Sequence, residues 1–162
     1  MKKNLSRAFA GMLIAAFMAL ALTACGGTED VKEDWMFDVG TETIDIVSES
    51  AQSYSTPYTI YFQVVGGGDT VMFAGTVTLK TTTYLAEEIV SGVAAEKGWA
   101  IDMAGGFLSS LGDYQQTGSG VAGDPAYFWS FSVNGVSADL GLGKFTLRNG
   151  DYMKLFYTVY EG

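Results

Sequence analysis

TYLAEEIVSGVAAEKG, residues 83–98, is where the hydrophobic period of this chain changes, and its reading decides the fold. Leu85, Ile89 and Val93 recur every four residues, the spacing of one helical face. Glu87 and Glu88 fall in the first turn and Lys97 in the last, where the helix dipole favours those charges. Gly98 follows as a natural stop. The stretch therefore predicts an amphipathic helix, and both of its flanks alternate with a period of two instead.

Upstream, YTIYFQVV (58–65) sets Ile60, Phe62 and Val64 on one face and Thr59, Tyr61 and Gln63 on the other. That is the pattern of a half-buried strand. GGGDT turns it, and VMFAGTVTLK (71–80) then places Val71, Phe73, Val77 and Leu79 inward and Met72, Thr76, Thr78 and Lys80 outward. The two runs form a predicted hairpin. Downstream, Trp99, Ile101 and Met103 alternate. The Gly-rich GGFLSSLGDY (105–114) and the polar loop QQTGSGVAGDP (115–125) follow. Two strands close the chain, YFWSFSV (127–133) before Asn134-Gly135 and DYMKLFYTVY (151–160) after Asn149-Gly150. Each Asn-Gly step suits a turn that requires positive φ. Strands, one helix, then more strands predicts an α+β domain over residues 55–162, a mixed β-sheet packed against one main α-helix.

YFWSFSV places four aromatics in five positions. Tyr127, Trp129, Phe131 and Val133 share one face, and Phe128, Ser130 and Ser132 the other. The serine face is too slight for a core, so the first face is expected to pack on Leu85, Ile89 and Val93. The rims of Tyr127 and Trp129 are expected to leave an aromatic shelf beside the loop 115–124, a candidate ligand surface. Tyr54, Tyr58 and Tyr61 extend aromatic exposure elsewhere.

The leader indicates the address. Residues 1–24 carry Lys2, Lys3 and Arg7, then an uncharged run from Ala8 to Leu22 and a small-residue site. This is the pattern of a secretory signal. As a helix the apolar run rises about 22 Å, short of the roughly 30 Å a spanning helix must cross. Leu22-Thr23-Ala24-Cys25 resembles the bacterial lipobox, in which Cys25, the only cysteine, carries lipid on its sulfur. A lipid-anchored protein on the extracytoplasmic face of the cell membrane is expected, because two acyl chains meet the requirement for stable anchoring.

Residues 25–54 read as an acidic tether. Between Gly26 and Ser50 eight carboxylates face the single Lys32. TETIDIV alternates and offers a possible edge strand over 43–47. Removing the leader takes three of nine basic residues and none of eighteen acids, leaving six against eighteen, a charge of −12. That balance lacks the Lys and Arg clusters that nucleic acid requires as a partner.

No histidine occurs in the sequence. Ser-His-Asp and Cys-His catalysis, and imidazole-ligated zinc, are therefore removed from consideration. GLGKF (141–145) has the look of a phosphate loop, but Ala138 stands where its first Gly belongs and Phe145 replaces the Ser or Thr that holds magnesium. Asp69, Asp113, Asp124, Asp139 and Asp151 sit in predicted turns, where an Asp side chain caps backbone amides. No alternating calcium-loop pattern is present. A non-catalytic binding module without a metal is the expectation.

GGFLSSLGDY followed by YFWSFSVNGVSADLGLGKFTLRNGDYMKLFY resembles the transcobalamin C-terminal-domain-like family, which occurs in cobalamin carriers and in bacterial surface lipoproteins. The resemblance covers about residues 57–160. Its most specific parts are Tyr127 to Trp129 opening a strand, Asn134-Gly135, Gly141 to Phe145 and Asn149-Gly150-Asp151. It implies a β-grasp-like sheet wrapped on a helix. By the same resemblance Trp129, Ser130 and Phe131, with Leu142 and Gly143 near the next turn, match the carriers' ligand-facing hairpin. Two classes of ligand then stand beside each other. One is a surface macromolecule, protein or glycan, met by the aromatic strand edge and loop. The other is cobalamin or a similar corrinoid, bound together with a separate helical partner.

Overall fold

A computed structural model describes residues 33–47 and 56–160 of the chain. The chain divides into Met1–Glu33 and Asp34–Gly162, and every element below belongs to the second unit. The expected leader, Cys25 and Tyr54 lie outside the described residues.

Among the described residues nine strands and one α-helix follow in the order β1 (Glu42–Val47), β2 (Tyr58–Val65), β3 (Val71–Lys80), α1 (Ala86–Lys97), β4 (Ile101–Ala104), β5 (Phe107–Leu111), β6 (Tyr114–Gln115), β7 (Ala126–Val133), β8 (Val136–Ser137) and β9 (Tyr152–Tyr160). Six of the strands form one mixed sheet in the order β1-β3-β2-β9-β7-β8. β2 is antiparallel to β3 and parallel to β9, and β7 is antiparallel to β9. The alternation read from the sequence sets which face is buried. Ile60, Phe62 and Val64 of β2, Phe73, Val77 and Leu79 of β3, Met153 and Leu155 of β9, and Trp129, Phe131 and Val133 of β7 all enter one core. The fold is α+β, a mixed sheet with one helix across it.

α1 buries Ala86, Ile89, Val90, Val93 and Ala94, a stripe wider than the four-residue repeat alone. Leu85 is half-buried and stands at the N-cap rather than on the buried stripe. Leucine cannot cap a helix, so the work passes to Glu88. Its carboxylate accepts from Leu85 N–H at 3.1 Å, from Thr81 Oγ1 at 2.7 Å and from Thr83 Oγ1 at 2.9 Å. This is one half of a capping box, with two threonines added. Of the next first-turn amides, which an isolated helix leaves unpaired, two are taken by a distant loop, Ala86 N–H donating to Phe145 C=O at 2.9 Å and Glu87 N–H to Leu142 C=O at 3.2 Å, while Glu88 N–H donates back to Leu85 C=O at 3.1 Å. Gly98 ends the helix at φ +67°.

The possible edge strand over 43–47 is present as β1, at the sheet edge and parallel to β3, so this part of the acidic segment is sheet rather than spacer, while other local expectations change. Ile44 is buried, and Ile46 packs where α1 carries Gly92; a Cβ there would collide with the isoleucine. Val71 is exposed, contrary to the inward placement, because a bulge between Val64 and Val65 sets Val65 against Val71 and skips Met72. GGFLSSLGDY, which the sequence marks only as Gly-rich, holds β5 and the start of β6. β4, β5 and β6 form a second, three-stranded sheet with tight turns at Gly105-Gly106 and Gly112-Asp113, and Leu108 and Leu111 join the core.

Both Asn-Gly turns are present and are hooked together. Asn134 Nδ2 donates to Asp151 Oδ1 at 2.8 Å, Asn134 Oδ1 accepts from Tyr152 N–H at 2.9 Å, and Asp151 Oδ2 accepts from Arg148 N–H at 2.7 Å. Asp151 thus caps backbone as its turn position predicts, and Asp124 does the same for Ser119 N–H at 2.9 Å.

Candidate functional site: a cleft at the edge of the aromatic strand

β8 is only two residues long and pairs with β7 at Ser132 and Val133 alone. Among the described residues no strand therefore lies beside the outer edge of β7 from Phe128 to Phe131. A cleft of about 390 Å³ opens there, within the size range of small-ligand sites. Because it straddles an edge rather than lying on a face, it draws residues from both sides of the strand: Trp129 and Phe131 from the core side, Phe128 and Ser130 from the other.

Two walls enclose it. One is the β4–β5 turn with Gly106, Phe107 and Leu108, and the other is the segment from Ala138 to Leu142. Hydrogen bonds join the walls to each other and to the helix. Leu142 N–H donates to Gly106 C=O at 3.0 Å, while Leu142 C=O receives the Glu87 amide described above. Gly106 has φ +81°, and a Cβ on it would collide with the backbone nitrogen of Gly143. The two glycines let the walls meet at the base of the cleft, and the helix start holds the pair in place. The same bonds explain why GLGKF is no phosphate loop. Phosphate loops aim N–H groups at an anion, whereas here loop carbonyls already occupy the helix amides.

The lips are apolar. Phe107 is 73% exposed and Leu140 is 49% exposed, and both line the one opening. Asp139, exposed on the second wall, is the one carboxylate of the lining. Gln116 supplies an amide at the end nearer the small sheet.

Of the six residues named from the sequence, Trp129, Ser130, Phe131 and Leu142 line this cleft. Gly143 stands behind the wall against Gly106 and Glu87. Tyr127 lies off the cleft. Its backbone is bridged to Thr117 and its ring stacks on Tyr157 at 6.1 Å. The expected shelf also changes at Trp129, which is only 9% exposed. Its indole N–H donates to Tyr114 C=O at 3.2 Å, and its ring meets Tyr114 edge-on at 6.1 Å and Tyr157 at 5.3 Å. The small sheet, of which the sequence showed only the alternation at Trp99, Ile101 and Met103, supplies the acceptor that draws the indole in. Phe107, Phe128, Asp139 and Leu140 were missed as lining residues. Their signal was available: a phenylalanine beside Gly105-Gly106 and a leucine beside Gly141 both place apolar side chains at turns, where burial is hard to achieve.

Among the described residues no group of three or more His, Cys, Asp or Glu is gathered as a metal ion would need.

Comparison with known proteins gives one partial family match and one similar solved structure. Residues 88–158 match a family described as a domain of unknown function (DUF4430). The matched span includes every residue that lines the cleft. A comparison with curated proteins returned no match. Among solved structures, the chain is similar to one described as a "putative metal binding protein" from Ruminococcus gnavus ATCC 29149. The two are 13% identical with a TM-score of 0.43, over 62% of this chain and 96% of that one.

Proposed function

We propose that this chain is a non-catalytic binding module, held at the extracytoplasmic face of the cell membrane by lipid on Cys25, with a β-grasp-like domain whose cleft beside β7 takes up a macromolecular or small-molecule ligand. The observation that carries the reading is the cleft itself: a strand edge left open between two hydrogen-bonded walls with apolar lips at Phe107 and Leu140. Exposed apolar side chains around a concavity gain free energy when a ligand covers them, at roughly 25 cal/mol per Å² of apolar area removed from water. The lining offers contact and hydrogen bonding but no paired acid and base. Asp139 alone does not supply the two carboxylates that glycoside hydrolysis needs.

Corrinoid capture is a second reading, supported by the position of Trp129, Ser130, Phe131 and Leu142, the residues that the cobalamin-carrier resemblance indicated, in this one cleft. Both readings make the same prediction about where binding occurs. The full-length protein in detergent micelles is presented with a peptide array, a glycan array and free cobalamin, beside a Ser130→Trp variant that fills the cleft and a Thr78→Trp variant on β3. Binding of any one class that is lost in Ser130→Trp and kept in Thr78→Trp, with both variants still folded by circular dichroism, supports the cleft. Equal binding by both variants, or none by the wild type, overturns it.

A further inference from the structure

Among the described residues the outer edge of β7, the one facing away from β9, is hydrogen-bonded at alternate residues except at Trp129, which has neither bond, and at Phe131, whose C=O is paired but whose N–H is not. In an antiparallel ladder successive residues turn their N–H and C=O first to one neighbour and then to the other. Tyr127 exchanges both bonds with Thr117, at 2.8 and 3.0 Å. Phe131 C=O accepts from Ala138 N–H at 3.0 Å, and Val133 pairs with Val136 across the Asn134-Gly135 turn. Trp129 has the same parity as these three, so its N–H and C=O point to the same edge. Among the described residues nothing pairs with either group. The omission falls inside the cleft, whose lining holds Trp129 between Gln116 on one side and Ala138 on the other.

Resting on the cleft as the binding site, we propose that its ligand is polypeptide: a short extended segment of a partner protein sets one residue opposite Trp129 and completes the ladder. The partner residue's N–H donates to Trp129 C=O, and its C=O accepts from Trp129 N–H. One extended residue carries one donor and one acceptor on the same edge at the spacing Trp129 presents, which is the chemistry of strand addition. The slot also sets the length. Tyr127 to Phe131 spans about 13 Å of strand, and Thr117 and Ala138 close the edge at either end. The segment therefore pairs over about three residues before turning away, so a loop tip or chain end fits and a long strand does not. Its side chains are apolar where they meet Phe107 and Leu140. It is uncharged or basic overall, because Asp139 is the only charge in the lining and the chain carries −9 in total.

The free protein gives the first test. In ¹⁵N-labelled full-length protein in micelles, the Trp129 amide is expected to exchange with solvent at least a hundredfold faster than the amides of Phe128 and Ser130, which face β9. A Trp129 amide as protected as its neighbours overturns the proposal. The second test adds a pool of capped tripeptides with Val, Leu, Phe or Thr at the centre, and the same pool N-methylated at the central residue. The unmethylated pool is expected to shift the Trp129 amide resonance, with about tenfold weaker binding after methylation, the loss expected for one hydrogen bond. Shifts at Ser130 and Leu142 that are indifferent to methylation would sink the ladder and leave the cleft reading standing. No shift with either pool, beside binding of a glycan or cobalamin at the same residues, would also reject polypeptide alone. No shift at any cleft residue with any ligand would reject both.

Discussion

The indole nitrogen of Trp129 lies 3.2 Å from the carbonyl oxygen of Tyr114, joining the aromatic strand to the small sheet in one bond. Trp129→Phe keeps an aromatic ring in the core but leaves the Tyr114 carbonyl without this donor. It is expected to lower the unfolding free energy by about 1–2 kcal/mol in urea denaturation. Trp129→Ala also leaves a cavity and is expected to cost about 3–5 kcal/mol. Equal stability of wild type and the Phe variant would show that the bond contributes nothing.

Glu88 supplies a second test, away from the cleft. Its carboxylate accepts from the amide of Leu85 and from two threonine hydroxyls, and one of those threonines, Thr81, is buried. Glu88→Ala strands both the helix amide and the buried hydroxyl and is expected to cost about 1–3 kcal/mol. Glu88→Gln keeps an acceptor and should cost less. A Gln variant as unstable as the Ala variant would contradict the capping account.

Much of the architecture was legible because it rests on periodicity. The period of two in residues 58–65, 71–80 and 127–133, and the change of period at Thr83, reflect burial on one face, and burial is what the structure realises. What stayed hidden has a common cause. β5 has five residues and β6 two, too few for a period to register between glycine turns. The bulge that exposes Val71 leaves no mark in the alternation. The site divides in the same way. Trp129, Ser130 and Phe131 were visible as a strand with one heavy and one slight face. The gap in hydrogen bonding at Trp129 depends on where β8 ends and on Thr117 and Ala138 closing in, which are relations between distant segments that no local pattern encodes.

Gly106 tests whether the walls must touch. Its φ of +81° already disfavours a side chain, and a Cβ would meet the Gly143 nitrogen. Gly106→Ala is expected to cost about 1–3 kcal/mol from the backbone conformation alone. It should also weaken ligand binding by prising the β4–β5 turn from the loop at Leu142. Gly105→Ala, at φ +60° but with open space around its Cβ, should destabilise to a smaller degree and leave binding unchanged. Matched losses in the two variants would mean that the contact of the walls is immaterial.

The anchor is testable by fractionation. Under the proposal Cys25→Ser removes the sulfur that carries the lipid, and the protein is expected to leave the detergent-soluble membrane fraction. Retention in the membrane at the wild-type level would reject lipidation at Cys25.

The central claim is that ligand is held at the cleft beside β7, and site-specific crosslinking tests it most directly. A photo-crosslinking residue is placed at Leu140 on the lip, or at Val47, which is 66% exposed on β1 at the opposite edge of the sheet. Cells displaying each full-length protein are then irradiated. Adducts from position 140 and none from position 47 are the predicted result; adducts from position 47 alone, or equally from both, would contradict it.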